Sequence, residues 1–466
     1  MILAYQYEKI PAAGMSALKI FKNLKSRKKF LLESTSYHEQ KGKFTYLGVD
    51  PYEEVIGNQG KTTIIDVQTK TTRQLEEHAL DYLKKQLPDM ETHLPIPFFG
   101  GAVGYVGYDF ICNLEDIAFP SVDELQMPDV HFMLFRNIIA IDHTKDCLYL
   151  IAVNPDQDPN VFLDEELKKL KNLLQADMKD SNTAFAFPNV DFKSQETEAS
   201  FTEKLLRAKE YIERKEVLQV VLSQRMQADI SGNPDFPFAF YENLCASNPS
   251  PYMFYIDFAD YILLGASPES LLQVTGNEVV TNPIAGTRPR GATQAEDARL
   301  EAELLGDEKE LSEHRMLVEL SNEDLASVCK EQTIELTTDM IIEKYQHVMH
   351  IVSELKGELR ENSSSVDALI SLLPAGTVSG MPKQRAMEIV NELEEKRRGP
   401  YGGGVGYISF NRDLNIALTI RTLIIKGKYA YLQAGAGIVR DSVAKKEYEE
   451  TLHKARSLVE AAYTFS

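Results

Sequence analysis

Two pairs of glutamates stand three residues apart, Glu310 with Glu313 and Glu447 with Glu450. At i and i+3 on a helix both carboxylates share one face, so each pair offers an acidic edge. Two such edges from facing helices suit Mg²⁺, a hard cation that takes one or two protein carboxylates and completes its octahedron with water and substrate oxygens. Spacing alone leaves open the alternative that both pairs lie on solvated faces of an acidic protein. His347 and His350 could be metal ligands one turn apart, but no HExxH pattern or cysteine partner accompanies them. A single acid–base histidine or a satisfied core histidine fits them better. Gly435-Ala436-Gly437 lacks the third glycine and the strand-to-helix context of a dinucleotide fingerprint. A Gly-x-Ser-x-Gly elbow and a phosphate-binding P-loop are absent.

The elements that must position these groups are readable from periodicity. Long helices are expected at about 294–329, 382–396 and 442–463. On the last, Glu447, Glu450 and Lys454 fall on the rim of the apolar stripe Leu452, Ala455, Val459 and Ala462. Ser200-x-x-Glu203 has the form of a capping box opening a helix to about residue 215. A strand follows, in which Leu218, Val220 and Leu222 form an apolar face, while Val217, Gln219, Val221 and Ser223 share the mixed one. Gln219 is the most polar residue there. Further strands are expected at about 253–258, 261–265, 405–410, 416–425 and 429–434, with 132–135 and 137–140 in the first half beside a helical stretch near 74–86. Gly100 to Tyr105 and Gly402 to Tyr407 resemble each other, and glycines in such strands permit close backbone approach. Hairpin-length gaps outnumber crossovers, so the class is α+β with largely antiparallel sheets. Residues from about 176 to 200 are polar and without apolar period. They divide the chain into an N-terminal part (1–176), a connector (177–199) and a C-terminal part (200–466).

The chain has 466 residues, with 70 Asp and Glu against 50 Lys and Arg, a formal charge of −20. That excess repels a phosphate backbone and argues against nucleic-acid binding. It also opposes an anionic metabolite, whose site would need local cations or a metal. No apolar run reaches the roughly 18 residues of a membrane span. The opening Met1 to Gln6 shows no basic segment followed by a long apolar one, so a cytoplasmic protein is expected. Cys112, Cys147, Cys245 and Cys329 match no zinc-ribbon spacing and read as buried thiols. There is no tryptophan.

Six segments in order, Gly265-Ala266-Ser267-Pro268-Glu269, Pro283 to Arg288, Lys309 to His314, Pro374 to Gly380, Tyr401-Gly402-Gly403 and Gln433 to Gly437, resemble the chorismate-utilising enzymes. The likeness spans about 200 to 460 and is greatest to the large, synthase subunits of anthranilate synthases. It extends to the first half through Leu31 to Ser34 and Gly100 to Asp109. It implies two facing sheets with N- and C-terminal parts interleaved. Chorismate carries two carboxylates, and the resemblance implies Mg²⁺ on Glu313 and Glu450, with Glu310 and Glu447 in or near the inner shell. Tyr401, Arg421, Lys454 and the backbone near Gly435 and Gly437 would bind carboxylates, with Gly286 and Thr287 also at the substrate. Glu269 corresponds to the general acid that protonates the departing 4-hydroxyl, a role needing a carboxyl protonated near neutrality. His350 matches the histidine of the aromatising step, and Thr377 would orient the substrate.

Two positions select among family members. Isochorismate and salicylate synthases resemble this chain but carry lysine at Gln219, where it activates water; an amide cannot, which favours ammonia. Aminodeoxychorismate synthases, the nearest rival, typically carry a nucleophilic lysine at Ala285. A silent chorismate or tryptophan sensor is a further rival. Since no segment reads as a glutaminase, ammonia is expected from a separate glutamine amidotransferase subunit, in a heterotetramer. The family's tryptophan-inhibition segments are present as Leu31 to Ser34 and Asn248 to Met253. Glu33 and Ser34 would meet the ammonium of tryptophan, while Pro251, Tyr252 and Met253 line its indole. One departure stands out: where the family usually reads Asp-Leu-Ala-Arg-Asn-Asp, this chain has Glu319-Leu320-Ser321-Asn322-Glu323-Asp324. Asn322 there removes a bidentate donor.

Overall fold

The computed structural model describes residues 4–12, 14–34, 43–88, 92–155, 161–175, 190–345 and 348–463. Among them, strands assemble into two sheets of twelve. In the first, Ala4–Pro11, Cys147–Asn154, Asn137–Asp142, Phe44–Val49 and Lys28–Glu33 are continued by Tyr252–Phe258, Tyr261–Ser267, Thr422–Lys426, Tyr429–Ile438, Gln219–Asp229 and Lys193–Ser194. In the second, Ile284–Pro289, Val348–Glu358, Glu278–Thr281, Ser270–Thr275, Leu414–Leu418 and Gly404–Ser409 are continued by Gly101–Val106, Val130–Phe135, Glu53–Asn58, Lys61–Asp66 and Thr72–Leu75. Each sheet therefore contains both halves of the chain. The joins are antiparallel: Lys28–Glu33 against Tyr252–Phe258, and Gly101–Val106 against Gly404–Ser409.

The two look-alike glycine segments meet at the second join, with Gly104 opposite Gly406. A Cβ on Gly104 would overlap the carbonyl of His131 on the neighbouring strand, so close approach is what glycine supplies there. Between the sheets lies one apolar core, in which Phe30 packs edge-on against Phe135 at 4.8 Å and Tyr46 against Tyr407 at 5.8 Å. The outer face of the first sheet is covered by the helices Ala17–Asn23, Phe236–Ser247 and Ala444–Ala461, which bury Phe21, Phe240 and Leu458 against Leu31, Leu264 and Leu432.

Several expected boundaries move, each for a local reason. The stretch 294–329 is two helices, Gln294–Leu305 and Glu308–Val328, because Asp307 caps the second by accepting from the Lys309 and Glu310 N–H groups. The stretch 416–425 is two strands, Leu414–Leu418 and Thr422–Lys426, in different sheets, with Arg421 at φ +50° on the passage between them. The helix after the connector spans Glu198–Glu213 and is capped by Thr197, whose hydroxyl accepts from Ser200 N. The Ser200 hydroxyl instead donates to Glu196 at 2.7 Å. Near 74–86 the chain is a strand end, Thr72–Leu75, and then a helix, Ala79–Gln86. Leu218 lies outside its strand and is exposed. His347 and connector residues 176–189 lie outside the described residues.

Candidate active site

The Asp307 cap starts the helix so that Glu310 and Glu313 lie within its first two turns. Glu313 reaches the mixed face of the Gln219–Asp229 strand and accepts from Gln219 Nε2 at 2.7 Å. Gly437 faces that contact: a Cβ there would overlap Gln219 Nε2 and lie 3.4 Å from Glu313 Oε1. Glu310 pairs with Arg288 Nη1 at 3.3 Å, while Arg288 Nη2 holds Asp307 at 2.8 Å. On the helix Ala444–Ala461, Glu447 is buried and Glu450 pairs with Lys454 Nζ at 2.8 Å. Burial raises both Glu313 and Glu447 above the usual carboxylate range, reinforced by the like charges of Glu310 and Glu450 respectively.

Carboxylates of this kind could hold a hard cation, with Glu310 and Glu450 already paired to Arg288 and Lys454. Among the described residues no three His, Cys, Asp or Glu side chains converge into a complete cage, but Mg²⁺ takes as few as one or two protein carboxylates. Beside Glu313, the Gln219 Oε1 atom is buried and has no protein partner among the described residues, an acceptor left over at the same place.

Glu269 follows the Tyr261–Ser267 strand and is buried, with Thr377 Oγ1 donating to its Oε1 at 3.0 Å. Burial pushes its carboxyl up to about 8, which the Thr377 bond and the Lys454 charge only partly offset. His350 sits opposite Thr287 in the pairing of Ile284–Pro289 with Val348–Glu358. Its Nδ1 is 3.1 Å from Gly286 O and 3.0 Å from Thr287 Oγ1. A carbonyl can only accept, so the proton is assigned to Nδ1, and Nε2 keeps its lone pair. Burial takes His350 down to about 4, leaving it neutral at pH 7.

The cations complete the constellation. Lys454 Nζ also donates to Gly435 O at 3.0 Å, and its charge bears on Glu269, Glu313, Glu447 and His350 alike. One ammonium thus ties together groups from both sheets and two helices. Arg421 is held by its Nη1 on Lys454 O at 2.6 Å and Ser457 Oγ at 3.3 Å. Tyr401 is buried, and its hydroxyl would lie 2.8 Å from any Cβ on Gly435. Arg398 stacks over Tyr108 at 4.3 Å, pairs twice with Glu394 (2.7 and 2.9 Å) and donates to Val378 O and Val221 O.

A second group of sequence candidates converges elsewhere. Glu33 pairs with Met253 across the first join, beside Pro251 and Tyr252, and Ser34 follows directly. Glu33 Oε1 accepts from Tyr241 OH at 3.0 Å, and burial raises its carboxyl above the usual range. Tyr252 OH accepts from Gln273 at 2.9 Å.

Residues 28–460 match the chorismate binding enzyme family. The chain belongs to that family. As a chorismate-binding enzyme it is similar to anthranilate synthase component 1 of Acetivibrio thermocellus, 41% identical over 93% of this chain and 89% of the relative. It is similar also to that of Lactococcus lactis, 38% identical over 97% and 98%. In structure it is similar to anthranilate synthase component I of Streptococcus pneumoniae, with a TM-score of 0.81 at 35% identity over 97% of this chain and 99% of the other. Among its described residues no helix is long and apolar enough to cross a membrane. For this chorismate-binding enzyme the sequence missed Arg288, Tyr345 and Arg398. Arg288 closes the Pro283 to Arg288 segment; the Tyr345 ring, 5.4 Å from that of His350, left no sequence signal. Arg398 could have been suspected as a charge in a run that ends at Tyr401. Asn322 and Glu323 are exposed, while Asp324 makes a two-oxygen ion pair with Lys383 at 2.7 Å.

Proposed function

We propose that the protein converts chorismate and ammonia to anthranilate and pyruvate, the first step of tryptophan synthesis. The observation that carries this is Glu269, a buried carboxyl kept protonated near neutral pH and aimed by Thr377. Such a group can give its proton to a departing hydroxyl, which an ionised surface carboxylate cannot. Gln219 is an amide, so no lysine activates water there and ammonia is the nucleophile at C2. Neutral His350 is the group suited to take the C2 proton in the second step, through Nε2, as pyruvate leaves and the ring becomes aromatic. Lys454, Arg421 and Tyr401 meet the substrate carboxylates. Glu313 and Glu450, with Glu310 and Glu447 close by, would hold Mg²⁺, which supplies a positive site for the ring carboxylate.

Ammonia comes from a separate glutamine amidotransferase subunit, in keeping with the numbered component name of the relatives. Tryptophan is the feedback inhibitor, its ammonium at Glu33 and Ser34 and its indole against Pro251, Tyr252 and Met253. Purified protein given chorismate, Mg²⁺ and an ammonium salt is expected to develop anthranilate fluorescence. Aminodeoxychorismate as end product, or no turnover, refutes the assignment. Because the chain has no tryptophan, added tryptophan is the sole indole in the sample, and its emission should shift to the blue on binding and stay unshifted with Ser34→Ala.

A further inference from the structure

Glu269 also borders a small space. A cavity of about 30 Å³ is lined by Glu269, Ser270, Thr281, Ser321, Asp324 and Thr377, among others. None of the residues assigned above to the metal or the substrate carboxylates lines it. Of the residues assigned to the substrate, only Glu269 and Thr377 border it. Glu269, Ser270 and Thr281 are buried, whereas Ser321 and Asp324 are half-buried, so the space leads from the acid toward the surface of the helix Glu308–Val328.

The cavity is large enough for a water molecule, which needs roughly 10–15 Å³ and two to four polar partners. Ser270 Oγ is buried and has no partner among the described residues. Thr281 Oγ1 gives its proton to Leu271 O at 2.9 Å and keeps acceptor capacity. Glu269 has a carboxyl oxygen besides the one that Thr377 engages. Ser270 is placed by a register break between Ser270 and Leu272 against Leu414–Leu418, the kind of bulge that re-aims side chains beside active sites.

The proposed reaction needs such a group. In each turnover the C4–O bond breaks, the hydroxyl leaves as water with the Glu269 proton, and the C2–N bond forms. The new ammonium then loses one proton to solvent. Glu269 is left as a buried carboxylate that must regain one proton, and the substrate side is occupied. We propose that a water molecule held on Ser270 Oγ in this cavity returns the proton to Glu269, replenished from solvent past Ser321. Ser270 is thus a positioning residue, and charge balances because the proton lost by the amine equals the one regained.

This rests on the function proposed above, and rapid mixing separates the two. With enzyme in excess over chorismate, Ser270→Ala should form anthranilate in the first turnover within about twofold of wild type, since Glu269 starts protonated. Under substrate excess its steady rate should fall about tenfold, with a larger solvent deuterium isotope effect. Ser270→Thr, which keeps the hydroxyl, should restore the rate, and Ser321→Leu, from a half-buried position, should reproduce the slow steady state. A crystal structure should show an ordered water on Ser270 Oγ in the wild type. Loss of first-turnover and steady rates together, or of neither, overturns the proton route while leaving the function standing. A wild type that makes no anthranilate overturns both.

Discussion

Replacing Glu269 by glutamine should make the folded protein more stable while removing its activity. The wild-type carboxyl has its ionisation moved from 4.5 to about 8 by burial. Between those two values the folded state keeps a proton that the unfolded chain has released, so wild-type stability falls as pH rises through that window. The slope is about 1.4 kcal/mol per pH unit, so stability drops by about 3 kcal/mol between pH 5 and pH 7.5. Glutamine carries no such linkage and can still accept from Thr377. Urea unfolding of wild type and Glu269→Gln, without metal, at both pH values checks this. Subtracting one protein from the other cancels every other titrating group, and the constant cost of burying an amide drops out of the pH dependence. The difference in unfolding free energy should grow by about 3 kcal/mol in favour of the variant over that interval. A difference that stays flat would show that Glu269 ionises normally and refute its assignment as an acid. In the active enzyme the same ionisation should make turnover decline as pH rises past about 8.

Gly437→Ala should lower kcat/KM by at least about tenfold, about 1.4 kcal/mol, because its Cβ displaces Gln219 from Glu313; an unaltered melting temperature, measured alongside, assigns the loss to the site. Arg398→Met should destabilise the protein by about 3–5 kcal/mol in urea, since it leaves Glu394 as an unpaired charge beneath the sheet. His350 should show no proton NMR titration between pH 5.5 and 8; a midpoint near 6.5 would contradict its desolvated, neutral state. Its sign is opposite to that of Glu269: the folded state binds this proton less tightly, so stability is lost as pH falls from 6.5 toward 4.

What could be read from the sequence was the set of groups more than their tethering. The glutamate pairs were suggested by spacing, and Glu269, His350 and Thr377 by the resemblance, because short motifs keep chemistry-bearing residues at fixed local spacing. The strand Gln219–Asp229 was legible only in part, since Leu218, expected on its apolar face, lies outside it and exposed, while Gln219 meets Glu313. Periodicity could not say that Arg288 would hold Glu310, since that contact joins a strand to the start of a helix across 22 positions. Nor could it divide 416–425, where apolar residues run almost unbroken through two strands of different sheets. The break there rests on Arg421, whose left-handed backbone has no hydrophobic signature. Likewise the lysine shared by Glu269, Glu313 and Glu447 is a product of three-dimensional convergence, visible in sequence only as one charge on a helix rim.

The joins between the halves of the chain bear on how the protein is made. Glu33 pairs with Met253, 220 residues later, and Gly104 with Gly406, 302 residues later. At about 5–20 residues per second, the second pairing waits about 15–60 s for its partner to leave the ribosome. During that interval the nascent chain carries unpaired strand edges, which invite association with other chains. A prematurely ended message would therefore yield an adhesive half-sheet in place of a working half-enzyme, and high expression of the intact chain would draw on holding chaperones until its last third has been synthesised.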